Sequence, residues 1–291
     1  MKEAHPAMGR VLHFDDYSVS KEPGVVVLDA AHMGVNAHSH DFFELVYIQS
    51  GFCLHESSKA STLLVEGDLF LMPPGVEHRY VGTGQIALYN CLFLKSAISD
   101  YEKELSSLTG LNSLFGHEGV RLLPKVHLDL DEQKRFSRLL KQMIKDTGEK
   151  ESGWELRIKC QLICLLIDVS RAFQKHVSAP NEQSPYPNYV SSALRMINDR
   201  FSDPDLSVSM LAKETGVTPD YLSRQFKLLT GVGVQEYVRR YRFAKATELL
   251  IAGMSVSDVA SGVGFANLCH FSREFKKELG VTPSAYARLN S

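Results

Sequence analysis

The sequence predicts an α+β chain: an N-terminal β-barrel with helices after it, then an all-α domain. Three observations predict it. Short β-rich runs divided by Gly and Pro fill residues 10–95. From Ala97 the apolar spacing turns helical. Near the end, one stretch is written twice. A chain of 291 residues is long enough for two domains, each with its own core.

The strand candidates are Val25–Leu28, Glu44–Ile48, Thr62–Val65, Asp68–Met72 and Ala87–Phe93. Gly34, Gly51, Gly67, Pro73-Pro74-Gly75 and Gly82 separate them, the rhythm of a sandwich or small barrel. Helices are expected at Ile98–Leu108, Asp131–Thr147 and Gly153–Lys175. The third carries Leu156, Cys160, Ile163 and Ile167, with Leu162, Leu165, Leu166 and Val169 beside them. That stripe is wider than one packed face requires. It reads either as packing against the strands and second helix or as an added dimer seam. Residues 177–187 hold three prolines among small polar residues and read as a linker. The domains are therefore expected at 1–176 and 188–291.

Charge divides along the same line. Residues 188–291 carry 13 Lys+Arg against 10 Asp+Glu, while the whole chain is at −2. A mildly basic C-terminal part permits nucleic-acid binding without proving it. Five scattered cysteines, an odd number, read as reduced thiols in a cytoplasmic protein. No signal peptide and no membrane-spanning segment are expected.

The duplicated unit is the most specific signal. Ser223, Arg224, Phe226, Lys227, Gly231 and Tyr237 recur as Ser272, Arg273, Phe275, Lys276, Gly280 and Tyr286. Upstream, Ser207, Ala212 and Gly216 recur as Ser255, Ala260 and Gly264. In the first copy Ser207 caps a short helix, Gly216 makes the turn, and Thr218-Pro219 opens the next helix. Leu222 and Phe226 face the core, leaving Asp220, Arg224 and Lys227 outward with Ser223 at the border. In the second copy Asn267 is the cap and Phe271 and Phe275 are the anchors, leaving Cys269, His270, Arg273 and Lys276 outward. An Arg-bearing polar face on an aromatic anchor suits insertion into a major groove. Val234–Ile251 reads as a rigid connector whose Arg239, Arg240 and Arg242 can contact phosphate.

Gly264-Phe-Ala-Asn267 with Phe271-Ser-Arg-Glu-Phe-Lys-Lys-Glu-Leu-Gly-Val-Thr-Pro-Ser-Ala-Tyr286 is similar to the signature of AraC/XylS transcription regulators. The resemblance covers residues 188–291. It implies two helix-turn-helix units joined by a helix, entering consecutive major grooves. Carried over by position, the base-reading residues are Asp220, Ser223 and Arg224 in one unit and Cys269, His270 and Arg273 in the other. The arginine commonly found directly after the last tyrosine is displaced here to Arg288, and the acidic Asp220 is unusual in a groove-facing slot.

His38-x-His40-x3-Glu44, then Gly51, followed by Gly67, Pro73, Gly75 and His78, resembles the two cupin motifs. The resemblance makes the barrel cupin-like. Gly34 and Gly82 depart from the usual pattern. In metal cupins such residues hold one divalent ion, which would fall to His38, His40, Glu44 and His78. The competing reading makes them the polar floor of an effector site. There His38, His40, Glu44, Tyr47, His78 and Tyr80 are the candidate contacts, and the family resemblance suggests sugars. Gly9–Tyr17 is a candidate arm over that site.

Together these readings predict a DNA-binding transcription regulator, an activator responding to a small polar effector. Its expected partners are double-stranded DNA, RNA polymerase and a second copy of the chain. No cofactor is expected, or one divalent metal on the alternative reading. That alternative is a metal-dependent cupin enzyme with a helical C-terminal domain.

Overall fold

The computed structural model describes residues 10–18, 22–32, 35–57, 60–81, 86–108, 111, 125–176 and 188–290. The expected linker at 177–187 and the motif glycines Gly34 and Gly82 lie outside them. The strands are β1 (Arg10–Leu12), β2 (Val25–His32), β3 (Val35–His40), β4 (Phe43–Ser50) and β5 (Phe52–Ser57). They continue as β6 (Ala60–Val65), β7 (Asp68–Met72), β8 (His78–Val81), β9 (Ile86–Phe93) and β10 (Val126–His127). They pair into two five-stranded sheets, in order β1-β3-β8-β5-β6 and β10-β7-β4-β9-β2.

The sheets face each other across an interior built from Val46, Ile48, Cys53, Phe70, Met72 and Leu88. Side chains alternate along a strand, so each sheet also has an outer face to cover. Phe43, Leu45 and Tyr47 on the second sheet pack under α2 (Leu130–Glu149) and α3 (Trp154–His176). Helix α2 begins in a capping box. Asp129 accepts from the Asp131 and Glu132 amides, and Glu132 accepts from the Asp129 amide in return.

The helix expected at Ile98–Leu108 is broken. Two 3-10 turns, Lys95–Ala97 and Ser99–Tyr101, lead into a five-residue α1 (Glu102–Ser106). Ser99, Ser106 and Ser107 each donate a hydroxyl to a backbone carbonyl three residues back. Such local bonds compete with helix propagation. The arm is partly a strand: Arg10–Leu12 pairs in parallel with β3, and Asp41 holds the His13 ring and the Phe14 amide.

The C-terminal part contains α4 (Asn188–Arg200), α5 (Val208–Thr215), α6 (Pro219–Thr230) and α7 (Val234–Ile251). It ends with α8 (Val256–Gly262), α9 (Leu268–Leu279) and α10 (Pro283–Asn290). Helix α7 is the connector and buries residues on several faces. Phe243 meets Phe265, Phe271 and Phe275 of the second unit, and Tyr237 meets Phe226 of the first.

The two halves share one apolar cluster. Phe52, Leu54, Leu63 and Val81 from the outer face of the first sheet pack with Tyr237, Val238 and Tyr241 of α7. The Leu63 amide donates to the Tyr237 hydroxyl at 3.1 Å. The Lys245 ammonium bonds Glu56, and Arg79 bridges Glu56 and Glu248. At the far side Gly231 closes α6 with φ of +83°, and a Cβ there would fall 2.2 Å from the His127 ring. Gly280, its counterpart on α9, would carry a Cβ with no atom within 4 Å.

Candidate functional site

Six polar side chains converge inside the barrel. His40 arrives from β3, His78 and Tyr80 from β8, His55 from β5, Glu44 from β4 and Asn90 from β9. All six are buried, so each polar atom left without a partner carries a desolvation cost. His40 Nε2 and His78 Nε2 each lie 3.4 Å from the same Glu44 oxygen, Oε2. Asn90 Nδ2 donates to the other oxygen, Oε1, at 2.5 Å. None of His40 Nε2, His78 Nε2, His55 Nε2 and Glu44 Oε2 makes a hydrogen bond of good geometry.

The backbone fixes the imidazole protons. His40 Nδ1 donates to the Phe42 carbonyl at 2.7 Å, and His78 Nδ1 donates to the Val76 carbonyl at 3.0 Å. A carbonyl only accepts, so both Nδ1 atoms carry hydrogen and both Nε2 atoms face the carboxylate. Burial would lift the Glu44 carboxyl, but the His40 and His78 imidazoles, 3.4 Å away and attractive to it when protonated, outweigh burial and hold it well below the usual range. Burial, reinforced by His78, pushes the His55 imidazole down to about 3, so that ring stays neutral.

The structure brings together His40, Glu44, His78 and Tyr80 among the expected effector contacts. His38 stands beside them, its ring 4.3 Å from that of His78, but outside the group whose ligand atoms meet. Tyr47 corrects the expectation. Glu44 points inward on β4, so Tyr47, three positions on, points outward. It stacks on Tyr89 in the core under α2 and α3, on the opposite side of the sheet from the cluster. His55 and Asn90 were not foreseen. Asn90 lies opposite Val46 across the β4–β9 ladder, and His55 lies opposite Tyr80 across β5–β8. Both positions are legible only once the register is known.

The duplicated units form as the caps require. Ser207 and Ser255 accept from the amides of Met210 and Asp258, and Thr218 and Asn267 from those of Tyr221 and His270. Phe226, Phe271 and Phe275 are fully buried. Asp220, Arg224 and Lys227 on α6 are exposed, as are Cys269, His270, Arg273 and Lys276 on α9; Ser223 is half-buried. The connector arginines are engaged within the chain. Arg239 and Arg240 engage Glu278, and Arg242 donates to the carbonyls of Phe201 and Asp203. They tie α7 to its own neighbours rather than waiting for phosphate.

Two family models match most of the chain: an AraC-like ligand binding domain over residues 22–166 and a helix-turn-helix domain over residues 211–289. The chain belongs to the AraC family. This AraC-family protein is similar to the HTH-type transcriptional activator RhaR of Escherichia coli K12, 24% identical over 283 residues, 95% of this chain and 96% of RhaR. Among solved structures it resembles the C-terminal domain of AraT, a response regulator from Geobacillus stearothermophilus. That match has 34% identity, covers 35% of this chain and 86% of that one, and has a TM-score of 0.35. ToxT from Vibrio cholerae matches at 14% identity over 92% of this chain and 97% of its own, with a TM-score of 0.34. The protein is thus a DNA-binding transcription regulator with a ligand-binding domain, and the enzyme alternative finds no support among its relatives. Among the described residues, no helix is long and apolar enough to cross a membrane.

Proposed function

We propose that this regulator is a cytoplasmic, effector-responsive activator that binds DNA as a homodimer and recruits RNA polymerase. Its effector is a small, oxygen-rich molecule of the sugar class, held by His40, Glu44, His55, His78, Tyr80 and Asn90. The reading faces are Asp220, Ser223, Arg224 and Lys227 on α6, and Cys269, His270, Arg273 and Lys276 on α9.

One observation carries the reading. Strands β5 and β8 send His55, His78 and Tyr80 into the barrel and the adjacent Glu56 and Arg79 outward onto α7. A ligand that shifts these strands shifts the helix on which both DNA-reading units are built. It does so to the extent that its affinity differs between the two arrangements. The homodimer rests on α3, where Ile158, Leu162, Leu165 and Val169 pack inward. Leu156, Cys160 and Cys164 stay exposed and Ile163 and Ile167 half-exposed. The activator role is supported by likeness to RhaR.

The test is a melting-temperature screen of the full chain against pentoses, hexoses and 6-deoxyhexoses. Binding to DNA selected by the protein from a random pool is then measured with and without each hit. A sugar that raises the melting temperature and changes DNA affinity supports the reading. Sugars that do neither, across the panel, sink it.

A further inference from the structure

Three buried atoms meet between His40, Glu44 and His78 without a well-formed hydrogen bond among them: two imidazole Nε2 atoms and a carboxylate oxygen, at 3.4 Å along two of the three edges. Hydrogen-bonded backbone carbonyls turn both rings this way, and Asn90 turns the carboxylate. Rings held through Nδ1 so that Nε2 is presented, with a carboxylate steadied by an amide, are how proteins prepare metal ligands. Two atoms bonded to one ion at about 2.1 Å and at the tetrahedral angle stand roughly 3.4 Å apart. The third edge, between the imidazole nitrogens, is within 4.8 Å.

We infer that the barrel binds one divalent transition-metal ion through His40 Nε2, His78 Nε2 and one oxygen of Glu44. Three protein ligands leave a fourth position open. His40 and His78 belong to the first sheet and Glu44 to the second, so the ion staples the two layers together. His38 is not a ligand: its Nδ1 bonds a backbone carbonyl, that of Asn36, as in the other two rings, but it lies outside the group whose ligand atoms meet. His55 and Tyr80 border the cluster beside His78. They suit a ligand whose oxygen takes the fourth position, a hydroxyl or carboxylate of the effector. This last step rests on the effector-responsive reading proposed above; the ion itself does not.

The test uses the full chain, stripped with a chelator and reloaded with zinc(II) or cobalt(II). Elemental analysis after gel filtration is expected to give close to one ion per chain, with a rise in melting temperature on reloading. Glu44→Gln keeps the side chain's shape and removes the negative charge. It is expected to lose at least tenfold in zinc affinity, while the exposed His13→Ala leaves uptake unchanged. The cobalt(II) spectrum of the unsubstituted chain supplies a readout independent of any variant. Visible bands of a four-coordinate nitrogen and oxygen site support the proposal. A near-ultraviolet thiolate charge-transfer band would place the ion on exposed cysteines and overturn it, as would uptake below a tenth of an ion per chain. Sugar binding by the stripped protein with undiminished affinity refutes the metal's part in effector capture and leaves the sensor reading standing. Stoichiometric metal with no sugar response does the reverse.

Discussion

His78 and Arg79 are neighbours on β8 that work on opposite sides of one sheet. The His78 ring lies among the polar groups inside the barrel, 3.4 Å from Glu44. The Arg79 guanidinium lies outside, bonded to Glu56 and to Glu248 of α7. A single peptide unit therefore separates a polar group inside the barrel from the group that grips the DNA-binding half. No long relay of residues is needed between them.

Glu56→Gln tests that grip. Glu56 accepts from both Lys245 and Arg79 and is largely buried, so the amide leaves two cations short of a partner. The expected loss is about 1.5–3 kcal/mol, the range for hydrogen bonds to charged groups. Chemical denaturation measures it. In the same variant the effector should still raise the melting temperature but change DNA affinity less than in the unsubstituted chain.

The grip is also sensitive to acid. Burial would raise the Glu56 carboxyl, but hydrogen bonds and charge from Lys245 and Arg79 outweigh it and hold the group below its usual range. A folded pKa below the unfolded one contributes stability above the unfolded value, about 4.3. That contribution fades as pH falls through the lowered folded value. Urea midpoints across a pH series should show the unsubstituted chain ahead of Glu56→Gln at neutral pH. The gap should close in acid; a gap that stays constant contradicts the linkage.

On DNA, Arg273→Ala is expected to cost about 1–3 kcal/mol and to relax preference at one base pair. Lys276→Ala, one turn further along α9, should weaken all sequences evenly and lower the salt slope by about 1. Titrations at several salt concentrations separate the two. Unchanged affinity and preference in Arg273→Ala would show that another face of α9 meets the groove.

Two turn glycines separate backbone cost from steric cost. Gly216 and Gly264 have φ of +73° and +83°. A Cβ at 216 meets nothing within 4 Å, whereas one at 264 lies 2.8 Å from the Ser202 carbonyl oxygen. Gly216→Ala should cost only the left-handed penalty of about 1–2 kcal/mol. Gly264→Ala should cost clearly more, read as a lower urea midpoint.

Tyr47→Phe should leave effector affinity unchanged, because Tyr47 lies under the helices. Tyr80→Phe should lower it. Calorimetry with a screened sugar decides, and the opposite ranking would put the ligand on the wrong side of β4.

Much of this was legible in the chain. The repeat gave the paired units, and their Ser, Thr and Asn caps formed where helix-start chemistry placed them. Less legible were β3, β5 and β8. On β5, Cys53 and His55 face the interior while Leu54 and Glu56 face α7. With polar and apolar groups buried on both sides, the two-residue alternation that marks a half-exposed strand disappears. The same cause hid His55. It also hid the docking of the halves, because Phe52, Leu54 and Leu63 look like barrel residues and serve α7 as well. Tyr47 was misplaced for want of parity: three residues from Glu44 is the other face.

The glycines that end α6 and α9 occupy equivalent places in the repeat but unlike surroundings. Gly231 lies close against the His127 ring of the N-terminal half; Gly280 borders nothing comparable. Among the described residues, the unit built on α6 therefore meets the N-terminal half at this end and the unit built on α9 does not, so two copies of one motif sit in unlike mechanical surroundings.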